Sequence, residues 1–128
     1  MPLFHDVTRE ELRRGDHIYV RHALHSRHGI WDGSKVIHLP PRSAKVSRDS
    51  LDEFLHDAAL KLFLYGAPWR TTWYEIAGTS EATESDEADI VVRRAESKIG
   101  EYNYNVFSAN SKSFARWCKL GDRAMDVI

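Results

Sequence analysis

The sequence predicts an α+β fold in which a small antiparallel sheet packs against helices. Within residues 16–39, apolar and polar side chains alternate in short segments, which is the pattern of half-buried strands. Residues 50–60, 91–99 and 111–120 instead have the spacing or the end signals of helices. The chain has 128 residues, 42% of them hydrophobic, which is enough for one core. We therefore expect a single domain over residues 1–128.

The predicted sheet is centred on a hairpin. The dipeptide Asp32-Gly33 suits a tight turn, because glycine adopts positive φ angles without steric cost. Alternating apolar residues such as Ile18 and Val20 mark a strand before the hairpin. The predicted strands cover residues 16–21, 28–31 and 35–39, with a further candidate at 61–65.

Three helices follow from their caps and their apolar faces. Ser50 is a suitable N-cap for the helix over 50–60, and Gly100 ends the helix over 91–99. Asn110 is a suitable N-cap for the last helix, which ends at Gly121. One face of that helix combines Ser111, Phe114, Ala115 and Cys118.

The segment between the candidate strand at 61–65 and the helix over 91–99, residues 66–90, is polar and rich in turn-forming residues. Its acidic run, residues 81–87, has little apolar surface to bury. A solvated loop without a chemical role is the simpler interpretation, and an acidic rim beside a site is the alternative.

Composition narrows the classes of partner and compartment. The net charge is −1 and the basic residues are dispersed, so we expect no nucleic-acid partner. The only cysteine, Cys118, cannot form an internal disulfide and is expected to be buried, which favours a reducing, cytoplasmic location. No apolar run has the length of a signal peptide or a membrane span. We expect no cofactor and no metal, because no cysteine or carboxylate joins the histidines at ligand spacing.

Three residues are candidates for chemistry: His28 and His38 on the hairpin strands, and Ser111 in the first turn of the last helix. If the two imidazoles share a face of the hairpin, one could act while the other orients it. The start of a helix favours negative charge, which lowers the pKa of a cysteine there but helps a serine far less. Taken alone, such residues are more often packed histidines and a capping serine.

Two blocks of the chain resemble a known family. Residues 12–20, LRRGDHIYV, with His28-Gly29-Ile30 and residues 35–39, KVIHL, resemble the H-box half of lecithin:retinol acyltransferase-like (LRAT-like) proteins. Residues 104–119, YNVFSANSKSFARWCK, resemble the Asn-Cys block of the same family, with serine in place of the cysteine. The likeness covers about residues 10–40 and 91–121, in the family's order.

The resemblance implies a circularly permuted papain-like (NlpC-type) fold and acyl chemistry at the start of the last long helix. By this likeness His28 matches the general base, His38 the second histidine that orients it, and Ser111 the nucleophile. Asn110 would be a cap or an oxyanion support. Relatives are thiol acyltransferases and phospholipases that pass through a thioester acyl-enzyme. The implied partner is therefore a lipid or an acylated small molecule or peptide, with peripheral membrane contact left open.

Three functional hypotheses remain at this point. The favoured one is a thiol-type acyltransferase or hydrolase whose parent has cysteine at position 111, so that the Ser111 chain is an inactivated form. The second is a natural pseudoenzyme that binds a protein or a lipid. The third is a serine hydrolase that uses Ser111 with His28 as its base.

Overall fold

The computed structural model describes residues 5–23, 25–40, 45–66, 80–101 and 111–127. Together they form an α+β structure with one five-stranded sheet, as predicted. The strands are β1 His17–Arg21, β2 Ser26–Trp31, β3 Val36–His38, β4 Ser47–Asp49 and β5 Lys61–Leu62. The helices are α1 Leu51–Leu55, α2 Ala88–Ser97 and α3 Ser111–Leu120.

The strand order is β4-β3-β2-β1-β5, and every pair of neighbours is antiparallel. The predicted hairpin turn is present between β2 and β3. Asp32 accepts hydrogen bonds from the backbone N–H groups of Ser34 and Lys35 at 2.8 and 2.7 Å, and Gly33 adopts a φ of 108°. This turn fixes the register in which Gly29 lies opposite His38 and Ile30 lies opposite Ile37.

The two faces of the sheet carry separate apolar clusters. On one face, α1 packs against strand residues of β1 and β3; this cluster comprises Ile18, Val20, Val36, Leu51, Phe54 and Leu55. On the other face, α2 and α3 pack against β2 and β3. That cluster comprises Ile30, Ile37, Leu39, Val46, Val91, Val92, Ala95, Phe114, Ala115 and Cys118.

Helix α1 is shorter than predicted. It ends at Leu55 rather than near Leu60, because His56 and Asp57 both adopt left-handed φ angles, of 47° and 66°. The N-cap is as predicted, since the Ser50 hydroxyl accepts a hydrogen bond from the backbone N–H of Glu53 at 3.1 Å.

The acidic run is not merely a solvated loop. Glu81 pairs with Arg116 of α3 at 2.6 Å, with both side chains 17% exposed. Asp86 bonds to Arg94 of α2 and to Arg123 beyond α3. These ion pairs attach the segment before α2 to the helical layer, which a reading from charge alone does not predict.

Helix α3 begins at Ser111 and ends before Gly121, which adopts a φ of 63°. Its apolar face is as predicted, since Phe114, Ala115 and Cys118 are fully buried. Asn110 lies outside the described residues. Among the described residues, no helix is long and apolar enough to cross a membrane.

Candidate active site around His28

The first residue of α3 lies against the backbone of β2 at His28. The Ser111 hydroxyl accepts a hydrogen bond from the backbone N–H of His28, with Oγ and N 3.1 Å apart. Helix α3 is held there by the apolar contact of Phe114 and Ala115 with Ile30, which follows His28 on the same face of the strand. The structure thus brings together the two ends of the chain that sequence reasoning paired.

The imidazole of His28 is hydrogen bonded at both nitrogens. Its Nδ1 lies 2.7 Å from Nε2 of His17 on the neighbouring strand β1. Its Nε2 lies 2.9 Å from the hydroxyl of Ser26, two residues earlier on β2. His17 continues the series through its Nδ1, which lies 2.9 Å from the Tyr65 hydroxyl. We call these four side chains, Ser26, His28, His17 and Tyr65, the histidine relay.

Aromatic rings enclose the histidine relay. The ring of His17 stacks on Phe63, with centroids 4.2 Å apart and planes 3° from parallel. The ring of His28 stacks on Tyr19, with centroids 5.3 Å apart. His17 is fully buried and His28 is 1% exposed. These contacts restrict both imidazoles to one orientation, so that the hydrogen bonds along the relay are held in place.

Burial and neighbouring cations keep both imidazoles neutral. Burial lowers the pKa of His28 to about 3, and the charges of Lys112 and Arg21 act in the same direction. Burial also lowers the pKa of His17 well below its ordinary value, assisted by His28 and Lys119. A cationic surrounding of this kind opposes an imidazolium but favours an anion placed beside it.

The structure does not bring His38 to His28. Because Gly29 is the residue opposite His38, the side chains of His28 and His38 point to opposite faces of the sheet. His38 bonds through Nε2 to Asp49 of β4 at 2.7 Å, and its ring meets the edge of Phe54 in α1. The imidazole that contacts His28 is His17, which corrects the expectation that the two hairpin histidines form one cluster.

Two other sequence expectations concern the helix that carries position 111. Cys118 is buried, and burial raises the pKa of its thiol well above the ordinary value, so its thiol is unreactive, as predicted. The role suggested for Asn110 falls outside the described residues.

Sequence reasoning missed His17, Ser26 and Tyr65. Ser26 could have been found, because residues two apart on a strand share a face and His28 was already a candidate. His17 could have been found from the pairing of β1 with β2, in which Tyr19 lies opposite His28 and His17 is the diagonal neighbour. Tyr65 has no such signal, since it follows the short strand β5 and reaches His17 from outside any ladder.

Comparison with protein-family models matches residues 10–124 to lecithin retinol acyltransferase. The chain belongs to the lecithin retinol acyltransferase (LRAT) family. The match extends over the strands, α1 to α3 and the histidine relay, and so covers both halves of the site. No curated protein matches the sequence. Membership of the LRAT family indicates acyl transfer or hydrolysis as the general class of activity.

Proposed function

We propose that this LRAT-family chain carries a thiol-type acyl-transfer or hydrolysis site, with position 111 as the nucleophile position and His28 as the general base. The observation that carries the proposal is the contact of Ser111 with the backbone of His28, beside a buried and fully hydrogen-bonded imidazole. With the base on a strand early in the chain and position 111 on the last long helix, the order is that of a circularly permuted papain-like fold, which is part of the proposal.

The electrostatics of the site favour a thiolate over a hydroxyl as nucleophile. An imidazole whose pKa is about 3 is a weak base toward a serine hydroxyl. A thiolate at position 111 would stand at the start of α3 and near Lys112, where negative charge is stabilised. The same negative charge would raise the pKa of His28 by stabilising its imidazolium. Ser111 supplies no such charge, so we expect the present chain to be inactive or weakly active.

The proposed reaction is acyl transfer from a lipid ester, an amide or a peptide. His28 takes the proton of a cysteine thiol at position 111, and the sulfur attacks the acyl carbon. The bond to the leaving alcohol or amine then breaks as that group takes the proton from the imidazolium of His28. Water or a second acceptor then attacks the thioester while His28 accepts its proton, the bond between the acyl carbon and sulfur breaks, and the imidazolium returns the proton to the sulfur, which restores the thiol. Membrane contact and a lipid substrate with a headgroup are also part of this proposal, and their support is the family membership alone.

The test is to install the thiol. Ser111→Cys should form a covalent acyl adduct with a p-nitrophenyl ester, detected as a mass increase and mapped to residue 111. The unaltered chain retains the fully buried Cys118, so it is a matched control for reaction at that thiol. Ser111→Ala is the control for hydrolysis that does not depend on position 111. A Ser111→Cys protein that folds normally but acquires no acyl group would refute the proposal.

A further inference from the structure

We propose that His17, supported by Tyr65, is the positioning residue that fixes the ring orientation and the tautomer of His28. The inference rests on the proposed function for its catalytic meaning, and it gives to His17 the role that the resemblance implied for His38. It is carried by an unbroken hydrogen-bonded series of four side chains on the face of the sheet that α3 covers.

The hydrogen bonds of the histidine relay limit where its protons can lie. A neutral imidazole has one nitrogen that donates and one that accepts. Since His28 uses both nitrogens, the choice made at Nδ1 determines the choice at Nε2. The same constraint applies to His17, which uses its Nε2 toward His28 and its Nδ1 toward Tyr65. The protons of the whole relay must therefore point in one direction.

The tautomer of His28 decides whether its Nε2 can accept a proton. A general base must present a bare nitrogen to the proton that it accepts. Nε2 of His28 carries no proton when the proton is on Nδ1. It then accepts a hydrogen bond from the Ser26 hydroxyl, while Nδ1–H donates to Nε2 of His17. His17 in turn donates from Nδ1 to the oxygen of Tyr65. His17 thus has the place at Nδ1 that a carboxylate has in a Ser-His-Asp triad, where loss of the correct tautomer costs about 10⁴-fold in rate.

Stacked aromatic rings hold the two imidazoles of the histidine relay in a fixed orientation. The ring of His17 is held by stacking on Phe63, and the ring of His28 is held by stacking on Tyr19. The two imidazoles meet at 63° between planes, an edge arrangement in which a ring nitrogen of one faces a ring nitrogen of the other. His38 has no part in this arrangement, because it faces α1 and is bonded to Asp49.

The test reads the tautomer of His28 directly, from the ¹⁵N chemical shifts of its imidazole nitrogens in the labelled full chain. We expect one tautomer in the unaltered protein. His17→Ala and Tyr65→Phe should each convert this signal to a mixture. His17→Gln, whose amide can occupy the position of Nε2, should restore a single tautomer. His38→Gln is the matched control on the other face and should leave the His28 signal unchanged.

A second readout uses the Ser111→Cys protein. Adding His17→Ala should lower the rate of acylation on the order of 10²-fold, in the range of a general-base contribution, and His17→Gln should recover most of that loss. Adding His38→Gln should change the rate by less than about threefold.

The two proposals fail separately. A His28 signal that stays a single tautomer in both His17→Ala and Tyr65→Phe would overturn the inference, whatever the activity. An absence of acyl adduct in Ser111→Cys, with a His28 tautomer that depends on His17, would refute the proposed function instead. If His17→Ala does not fold, the comparison of Tyr65→Phe with the unaltered chain decides the inference, since that change removes only a hydroxyl.

Discussion

The two histidines of the hairpin are both buried but are held by different chemistry. His28 faces α3 and is bonded to an imidazole and a hydroxyl, without a carboxylate among the described partners. His38 faces α1 and is bonded to the carboxylate of Asp49, which also accepts a hydrogen bond from Ser47 at 3.0 Å. Both residues are 4% exposed or less. Burial alone therefore does not distinguish the roles of the two histidines. They differ in their hydrogen-bond partners, which are uncharged for His28 and include a carboxylate for His38.

The difference follows from the register of one turn. In the pairing of Gly29 with His38, residues that share a face are an odd number of positions apart. His28 and His38 are ten positions apart, so they lie on opposite faces. One side of the sheet thus has an uncharged relay beside the start of a helix, and the other has a charge-paired histidine beneath α1.

The largest expected contrast is in reactivity. In the Ser111→Cys protein, His28→Ala should lower the rate of acylation about 10²- to 10⁴-fold, the usual contribution of a general base. His38→Ala should leave the rate of the folded protein nearly unchanged, because its ring points away from position 111. Stopped-flow measurement of p-nitrophenolate release gives both rates. Equal losses of acylation rate in the two variants would contradict the different roles assigned to the two faces of the sheet.

A second contrast is in packing at the residue between the two histidines. A Cβ at Gly29 would lie 2.5 Å from Cγ1 of Val36, 3.1 Å from Cβ of His38 and 3.2 Å from Cε1 of Phe54. Gly29→Ala should therefore lower the free energy of unfolding by about 1–3 kcal/mol, the usual cost of overpacking. Urea unfolding measures the loss. The His28 tautomer in the folded variant should be unaltered, since the added methyl group points toward α1.

A third contrast is in the dependence of stability on pH. The pKa of His28 is about 3 in the folded protein and near 6.5 in the unfolded chain. Below pH 6.5 the unfolded state binds a proton that the folded state does not, so stability falls as pH decreases toward 3. The loss is at most about 1.4 kcal/mol per pH unit for this group.

The check is urea unfolding between pH 7 and pH 4, with His28→Gln as the comparison. That variant should have a shallower slope, because it lacks one of the groups that protonate on unfolding. Burial also lowers the pKa of His38, but the hydrogen bond and charge of Asp49 oppose the effect. His38→Gln should therefore change the slope less than His28→Gln does, and the reverse order would contradict the assigned partners.

The smallest expected effect is that of Asp49→Asn. It replaces a charged acceptor by a neutral one that can still bond to Nε2 of His38, so we expect a loss on the order of 1 kcal/mol in unfolding free energy. Asp49 is 32% exposed, which limits the contribution of the ion pair. Neither the His28 tautomer nor acylation at position 111 should change. A marked change in either would show that the two faces are coupled.

Local patterns predicted the hairpin turn, the buried face of α3 and its first residue, because alternation, turn chemistry and apolar spacing are properties of short segments. The pairing of His28 with position 111 came from the family resemblance. The side of the sheet toward which His38 points could have been predicted from the register that the turn sets, in which Gly29 and not His28 lies opposite His38. The partners Tyr65 and Asp49 were not, because each depends on how separate segments meet in the folded chain.

A hydrogen bond also joins α3 to the residues just before β1. The ammonium group of Lys119 donates to the carbonyl oxygen of Gly15 at 2.8 Å. The two residues are 104 positions apart in the sequence, so this contact can form only after α3 has been synthesised. While the polypeptide emerges from the ribosome, the hairpin is complete long before α3 exists, and until then Ile30 and Ile37 lack the cover of Phe114 and Ala115. This side of the sheet can be completed only after α3 has been synthesised, and until then the nascent sheet is vulnerable to aggregation.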